Sequence, residues 1–311
     1  MPRRRNPFVQ WCLTTAAVLF GRLTSLLPLP VCHALGRLLG RAAYWLVPRV
    51  RRVALANLDL AYGDDLGPRE KRRIAKTAAE NVGIVAAEFS HIPKLDADFV
   101  RRHVTVRGQE HIDLERGGFI IGAHLGNWEW MAPVVFALGG RTAEVVRPLD
   151  DPRLDAFVDR TRRSTGVVTI PKTGAGPELL RLLRDGCIVG VLVDQSPREN
   201  GVPVQFYGKP CWGTVAPVMV AARARKPAYP IAMTRDANGR YTVEFAPPIE
   251  MVRSGDLRAD LIENSQRCQS AIEELVRRHP EQWLWLHRRW KPRPRLEAEW
   301  QERNRRGGTE E

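Results

Sequence analysis

Cysteines are few in this sequence and follow no pairing pattern. The 311 residues include 5 cysteines, and no two of them have the Cys-x-x-Cys spacing of a zinc or redox site. An odd number without such spacing argues against a disulfide framework and indicates a reducing compartment. The five are Cys12, Cys32, Cys187, Cys211 and Cys268.

Several common catalytic motifs are also missing. The sequence has no Gly-x-Ser-x-Gly elbow, so a serine acyl-enzyme is not expected. Gly201 and Gly208-Lys209 lie too far apart for a phosphate-binding loop, and Pro210 stands where that loop needs Ser or Thr. Gly174-Ala175-Gly176 does not continue as a dinucleotide-binding fingerprint. The sequence therefore predicts neither a cofactor nor a metal.

Acidic residues are outnumbered by basic ones. The 35 Asp and Glu residues against 48 Lys and Arg residues give a formal net charge of +13. A basic surface attracts nucleic acid, anionic lipid or an acidic protein, but no nucleic-acid-binding motif accompanies this charge. We therefore expect an anionic membrane surface or an acidic protein as the partner, and no nucleic acid. The basic runs are Arg3-Arg4-Arg5, Arg49 with Arg51-Arg52, Lys71-Arg72-Arg73, and Arg288-Arg289 with Lys291, Arg293 and Arg295.

The N-terminal region combines basic and apolar residues. Residues 8–29 are mostly apolar, follow Arg3-Arg4-Arg5 and are interrupted by Arg22. A spanning helix needs about 20 apolar residues, so three interpretations compete: a cleaved signal peptide, a spanning helix, and an embedded or interfacial anchor. The third is favoured, with Arg22 reaching the headgroups. The adjacent basic residues then place the chain on the cytoplasmic face.

The order of the predicted elements indicates an α/β protein. Helical periodicity dominates as far as residue 100. Glu88, near the end of one of these helices, is expected to be solvated or a cap, and a place in the lining of the site is the alternative. Short apolar strands then alternate with helices, which predicts a mixed, largely parallel sheet flanked by helices. The expected regions are a membrane-anchoring helical segment (1–50), a helical segment packed on the core (51–100), an α/β domain (101–295) and a disordered basic or polar tail (296–311). Strands are predicted at 103–106, 119–123, 143–147, 167–170, 187–193, 228–233 and 241–245, and helices at 128–138, 152–165, 176–185, 214–225 and 258–278.

An imidazole and a carboxylate stand five positions apart across a predicted strand-to-helix turn. His124 follows the apolar run 119–123, and Asn127 is a plausible N-cap that places Glu129 in the first helical turn. A carboxylate there can accept one ring N–H and leave the other nitrogen free to take a proton. The competing interpretation is a structural histidine at a strand end, and this turn alone leaves the two about equal.

Polar side chains also follow two other predicted strands. Arg147-Pro148 ends one strand, and Asp194-Gln195 ends another. Because the carboxyl ends of parallel strands open onto one crevice, these residues are candidates for the same site. Arg147 suits a phosphate or an oxyanion, while Asp194 can orient a substrate hydroxyl or Arg147. Arg163, on a charged helix face, is a weaker candidate; a surface arginine and a capping aspartate are the structural alternatives.

The region 279–291 contains three of the nine tryptophans among cations. Tryptophan with arginine and lysine is typical of a membrane interface, and a stacked clasp on the core is the equally weighted structural interpretation. Phe206-Tyr207-Gly208 can form a wall for an apolar ligand or belong to the core.

Together these residues resemble the bacterial lipid A late (lauroyl/myristoyl) acyltransferases, a branch of the lysophospholipid acyltransferase superfamily. The resemblance covers about residues 8–294. It rests on His124 and Glu129 as the H-x4-D/E motif, Arg147-Pro148, Asp194-Gln195, Phe206-Tyr207-Gly208 and the region 280–290.

The resemblance implies an inner-membrane enzyme that moves a fatty acyl chain from a thioester to a glycolipid hydroxyl. The donor is usually acyl carrier protein, with acyl-CoA open, and a lipid A precursor is the expected acceptor. His124 is the expected catalytic base, and Glu129 is expected to orient it. Asn127, Arg147, Arg163, Asp194 and Gln195 are expected to bind substrate.

Other functions stay open at this point. The acceptor can instead be a phosphatidylinositol mannoside, another glycolipid or a lysophospholipid. A membrane-surface interaction protein with a degenerate site and a nucleic-acid binder are the alternatives from other classes. Acyl-chain length, set by the depth of an apolar pocket, is not encoded in any motif.

Overall fold

The computed structural model describes residues 6–307, with side chains as far as residue 302. Arg3-Arg4-Arg5 and residues 308–311 lie outside the described residues. The helices are α1 (Pro7–Leu26), α2 (Leu29–Leu46), α3 (Pro48–Tyr62), α4 (Pro68–Glu88), α5 (Ala97–His103), α6 (Met131–Ala137), α7 (Pro152–Arg163), α8 (Gly176–Arg184), α9 (Ala216–Ala224), α10 (Leu257–Arg278) and α11 (Pro294–Gly307). The strands are β1 (Val104–Arg107), β2 (Gly118–Gly126), β3 (Thr142–Val146), β4 (Val168–Pro171), β5 (Ile188–Leu192), β6 (Gly201–Phe206), β7 (Lys209–Thr214), β8 (Ala228–Arg235) and β9 (Tyr241–Phe245).

A seven-stranded sheet organises the chain from residue 104 onward. Its strand order is β1-β9-β8-β2-β5-β3-β4. Every neighbouring pair is parallel except β8 with β9, which is antiparallel. The expected α/β fold with a mixed, largely parallel sheet is confirmed, and β2 lies at its centre, next to β5.

Both faces of this sheet are buried, which is why its central strands read as continuous apolar runs. Successive side chains of a strand point to opposite faces. Phe119 and Ile121 of β2 belong to one core cluster, and Ile120 between them belongs to the other. The even-numbered face of β2 is also the face on which His124 lies, two positions after Gly122.

The N-terminal helices pack on α4 at very short backbone distances. A Cβ atom at Gly40 of α2 would lie 2.1 Å from the carbonyl oxygen of Ala79, and one at Gly83 of α4 would lie 2.1 Å from that of Gly36. Only glycine allows this approach, because any larger side chain would force the helices apart. The expected N-terminal helical region is therefore present. Within residues 6–307, no helix combines the length and the apolar character needed to cross a bilayer.

Two elements differ from the sequence predictions. β6 and β7 form an antiparallel hairpin, whose connecting residues Tyr207 and Gly208 have φ of 54° and 65°. Two consecutive residues with positive φ are typical of a tight hairpin turn, so Phe206-Tyr207-Gly208 marks a hairpin end. The expected disordered tail from residue 296 is a helix as far as Gly307. It is held by buried Leu296 and by Trp300, whose ring stacks under the Arg258 guanidinium at 4.2 Å.

Candidate active site

His124 lies near the end of β2, where the strand bends sharply. Gly126 has a φ of 62°, and a Cβ there would lie 1.9 Å from the carbonyl oxygen of Met233. Only glycine accommodates both the left-handed backbone and the close neighbour. Asn127 then caps the following turn, because its side chain accepts a hydrogen bond from the Trp130 backbone N–H at 3.2 Å. The strand, cap and turn follow the pattern expected from the sequence.

The register of the sheet brings His124 and Asp194 together. Gly122 of β2 pairs with Leu192 of β5 in a parallel ladder. His124 and Asp194 each follow two positions later, so they lie side by side. His124 Nδ1 lies 2.8 Å from Asp194 Oδ1. Since a carboxylate at this distance accepts a hydrogen bond, Nδ1 carries the proton and Nε2 is left as the basic nitrogen.

The Asp194 carboxylate is buried and accepts two further hydrogen bonds. The His124 backbone N–H donates to Oδ2 at 2.8 Å, and Trp283 Nε1 donates to the same oxygen at 2.9 Å. Burial favours the protonated acid, but the charge of His124 and these hydrogen bonds outweigh it and lower the pKa of Asp194 to about 2. Asp194 is therefore an anion in a fixed orientation at neutral pH.

The anion beside it makes His124 more basic. Burial disfavours the imidazolium, but the charge of Asp194, its hydrogen bond and the charge of Glu129 together raise the pKa of His124 above 6.5. A general base is most effective when its pKa lies near the working pH. The Gln195 side-chain nitrogen lies 3.2 Å from His124 Nε2, where it donates to the nitrogen that a substrate hydroxyl would need.

Glu129 does not make the hydrogen bond to His124 that the sequence led us to expect. Its carboxylate accepts from Arg162 through Nη2 at 2.9 Å and Nε at 3.0 Å, and from Trp128 Nε1 at 3.2 Å. The reason is the bend at Gly126, which carries the chain away from the ring before Glu129 is reached. Asp194 occupies the orienting position in its place. The charge of Glu129 is the smallest of the contributions that raise the pKa of His124.

A second carboxylate flanks Arg162. Glu144 Oε1 lies 3.5 Å from Arg162 Nε, and burial raises the pKa of Glu144 to about 7 although Arg162 opposes the shift. Arg162 thus pairs with both Glu129 and Glu144. The sequence did not distinguish it from the other charges on its helix.

The tryptophan-rich region is a clasp on the core. Trp283, Trp285 and Arg289 are fully buried or nearly so, which contradicts a membrane-interface role for these three side chains. The Leu284 backbone N–H donates to the His124 carbonyl at 3.0 Å, and Trp283 bonds Asp194 as described above. The clasp therefore fixes both members of the His–Asp pair.

The other sequence candidates are distributed around this pair. Asn127 is fully buried and binds Glu88 at 2.7 Å, so it supports the turn and is not exposed to substrate. Arg147 is exposed and pairs with Asp150 at 3.1 Å. Arg163 is exposed and lies 3.6 Å from Asp159. The structure does not bring Arg163 into contact with the His124–Asp194 pair.

Two cavities lie on the side of the sheet that carries Trp128, although neither His124 nor Asp194 lines them. The larger, about 350 Å³, is mainly apolar and is lined by β2, β3, β5, α6 and α7, with Trp128 and Glu129 in its wall. The smaller, about 280 Å³, is lined by Arg147, Arg162 and Arg163 among others. Val146, Arg147, Val158 and Arg162 line both, so the two cavities share a wall. Trp128 connects the larger cavity to the base, because its ring centre lies 5.2 Å from that of His124.

The family described as "Bacterial lipid A biosynthesis acyltransferase" matches residues 4–292 of this sequence. The chain belongs to the bacterial lipid A biosynthesis acyltransferase family. It is an acyltransferase, as its relatives are named.

Curated relatives of this acyltransferase cover most of its length. It is 26% identical over 281 residues to the lipid A biosynthesis lauroyltransferase of Escherichia coli K12, and the alignment covers 86% of this chain and 88% of the relative. It is 24% identical over 282 residues to the lipid A biosynthesis palmitoleoyltransferase of the same organism, covering 86% and 87%. A phosphatidylinositol mannoside acyltransferase of Mycobacterium tuberculosis CDC 1551 is 22% identical over 222 residues, covering 68% of each chain.

The position of Asp194 in the candidate site is only weakly indicated by the sequence. Asp194 was a substrate-binding candidate, and the structure places it in the hydrogen-bonding position beside His124 that was expected of Glu129. A polar pair directly after an apolar strand was the signal for its location. Nothing in the sequence spacing indicated that it pairs with His124, because the two residues are 70 positions apart in the chain.

Proposed function

We propose that this acyltransferase moves a fatty acyl chain from an acyl thioester to a hydroxyl of a glycolipid, with a lipid A precursor as the favoured acceptor. The observation that carries the proposal is the His124–Asp194 pair, whose imidazole contacts Trp128 in the wall of a mainly apolar cavity. Acyl carrier protein is the favoured donor, because an acidic protein suits a chain with a formal net charge of +13.

His124 is the proposed general base. Asp194 holds the Nδ1 proton, so Nε2 takes the proton of the acceptor hydroxyl as its oxygen attacks the thioester carbonyl. The C–S bond then breaks, and the imidazolium returns its proton to the leaving thiolate. Arg147, which faces both cavities, supplies a cation for the developing oxyanion or for an acceptor phosphate.

The larger cavity is the proposed site for the acyl chain. Gly122 and Ile120 line it from β2, on the same sheet face as His124, so a chain lying along this face ends beside the base. An apolar wall accepts a hydrocarbon without requiring hydrogen bonds from it.

The arginine-lined cavity supports an anionic acceptor. Arg147, Arg162 and Arg163 line it together with Asp155 and Asp159, and guanidinium groups suit phosphate oxygens. A phosphorylated sugar lipid with its phosphate in this cavity would lie next to the proposed acyl-chain site, because the two cavities share a wall. A phosphatidylinositol mannoside is the second candidate, since a relative of this chain is named for that acceptor.

Product mass tests the proposed reaction directly. The purified protein is incubated with a lipid A precursor and either acyl carrier protein or coenzyme A carrying chains of graded length, with a phosphatidylinositol mannoside as the parallel acceptor. We expect the lipid A precursor to gain the mass of one acyl group, faster from acyl carrier protein. Acylation of the mannoside alone would reassign the acceptor, and transfer to neither would refute the proposal.

Gly190 gives the same assay a chain-length test. It lies in the middle of β5 and lines the larger cavity, and a Cβ there would meet Ile120 at an ordinary 3.6 Å. Gly190→Val should therefore fold and shorten the preferred chain, because it fills the cavity; each CH₂ excluded from it forgoes about 0.8 kcal/mol of burial. Gly190→Ala is the matched control with a smaller shift. An unchanged chain-length profile in both variants would place the acyl chain elsewhere.

We also propose that α1 and α2 lie on the cytoplasmic face of the inner membrane. Their exposed side chains include large apolar ones, with Phe8 70%, Leu26 82% and Leu46 79% exposed. Arg22 and Arg37 are exposed on the same two helices. Apolar side chains next to cations are typical of helices in the interface plane, where anionic lipid adds about 1 kcal/mol per basic residue.

Vesicle binding tests this surface. We expect the double variant Leu23→Glu with Leu26→Glu to bind anionic vesicles at least about tenfold more weakly, since burying each leucine contributes about 1.5–3 kcal/mol. Leu257→Glu is the control, because Leu257 is 65% exposed but starts α10. High salt should weaken wild-type binding. Equal binding by both variants would rule out α1 as a contact surface.

A further inference from the structure

Glu88 is a buried carboxylate that has no part in the proposed mechanism. It packs against the turn at residues 126–130 that follows His124, which we call the catalytic turn. Glu88 is the last residue of α4 and is 0% exposed, so the expectation of a solvated carboxylate was wrong. Placing an ionised carboxyl group in a protein interior is costly unless donors surround it. An unusual set of donors is present.

Four side chains from different parts of the chain contact the Glu88 carboxylate. Asn127 Nδ2 donates to Oε2 at 2.7 Å, and Tyr241 OH donates to Oε1 at 2.5 Å. Arg235 Nη1 reaches the two oxygens at 3.0 and 3.1 Å, and His33 Nε2 of α2 lies 2.6 Å from Oε1. Burial alone would raise the pKa of Glu88, but Arg235, His33 and Tyr241 reverse this and lower it. The group is a buried anion.

The same network holds the backbone that follows His124. Asn81 Nδ2 donates to the Gly126 carbonyl at 2.9 Å, and Arg235 Nη2 donates to Asn81 Oδ1 at 2.8 Å. The Asn127 backbone N–H donates to the Met233 carbonyl at 2.7 Å. The Trp130 indole donates to the Glu88 carbonyl at 3.3 Å. Gly126, Asn127 and Trp130, all within six positions of His124, are thus fastened to α4 and β8.

We propose that Glu88 is a positioning residue for the acyl transfer that begins at His124. It acts through Asn127: the carboxylate fixes the Asn127 amide, whose other end caps the Trp130 N–H, and this defines the turn that aims the imidazole. A displacement of about 1 Å in such a geometry can cost about 10²-fold in rate. The inference rests on the proposed role of His124 as the base.

Matched variants separate positioning from simple stabilisation. Glu88→Gln is paired with Glu80→Gln, because Glu80 is a buried glutamate of the same helix that accepts from Arg41 at 2.8 Å. Asn127→Ala is paired with Asn264→Ala, because Asn264 is a buried asparagine that exchanges two hydrogen bonds with the Val252 backbone. We expect Glu88→Gln and Asn127→Ala to lower kcat about 10–10²-fold with KM little changed. The two controls should retain kcat within about threefold.

Hydrogen–deuterium exchange of residues 122–131 provides a readout that does not depend on activity. We expect faster exchange of this segment in Glu88→Gln and Asn127→Ala, and wild-type exchange there in both controls. Melting temperatures show whether all four variants are folded; if Glu88→Gln does not fold, Asn127→Ala carries the test. Wild-type kcat and exchange in Asn127→Ala would overturn the positioning role. An inactive wild-type protein would count against the proposed function, while the exchange pattern would still decide the role of Glu88.

Discussion

Replacing His124 with alanine is expected to lower the rate of acyl transfer by about 10²–10⁴-fold, which is the usual contribution of a positioned general base. The imidazole is the group with a basic nitrogen directed away from a buried carboxylate, and alanine offers no substitute. Asp194 keeps its hydrogen bonds from the His124 backbone and from Trp283, so the fold should survive. Initial rates and melting temperatures of the purified variant check both expectations.

A second histidine provides the control for this experiment. The His111 side chain is 35% exposed and lies 3.8 Å from Glu110, within a short helical turn outside the site. His111→Ala should keep wild-type rates in the same assay. If His124→Ala retained more than about a tenth of the turnover, imidazole base catalysis would be the wrong mechanism, whatever the acceptor.

Asp194→Asn is expected to lower kcat by about 10²–10⁴-fold. The amide keeps the shape of the side chain, but it has no negative charge and no longer fixes the His124 ring proton on Nδ1. An asparagine can present its NH₂ group to Nδ1, which would move the ring proton to Nε2 and block the base. The loss should appear in kcat more than in KM, since the carboxylate faces the ring from the protein side.

The pH dependence gives this variant a second readout. The base works as neutral imidazole, so the rate rises with pH as His124 loses its proton, and its raised pKa places this rise above 6.5 in the wild type. Asp194 is the largest of the groups that raise that pKa, so Asp194→Asn should move the rise to lower pH. Glu129→Gln should move it less, because Glu129 contributes only through its charge. The reverse order would restore Glu129 as the partner of the base.

The location of the site was available from sequence because it depends on local chemistry. An apolar run, a glycine and an N-capping asparagine around His124 predict a strand end, a bend and a helical turn, and all three are present. The alternation of strands and helices after residue 100 likewise predicted the α/β class. The hairpin of β6 and β7 was overlooked because a Tyr-Gly turn is a weaker signal than Asn-Gly. The final helix was missed because it is rich in charged residues, which suggested a disordered tail, while the buried Leu296 that anchors it is a single apolar residue.

The partner of the base was decided by the tertiary structure. Which carboxylate meets His124 depends on β5 lying next to β2 in one particular register, and strand order arises from packing both faces of the whole sheet. The five-residue spacing predicted Glu129, but the bend at Gly126 directs it to Arg162. The buried anion at Glu88 was hidden for the same reason, since its donors come from α2, β8, β9 and the catalytic turn. Sequence alone thus determined most of the elements and the strand end at which the imidazole lies, while long-range packing determined the charges that surround it.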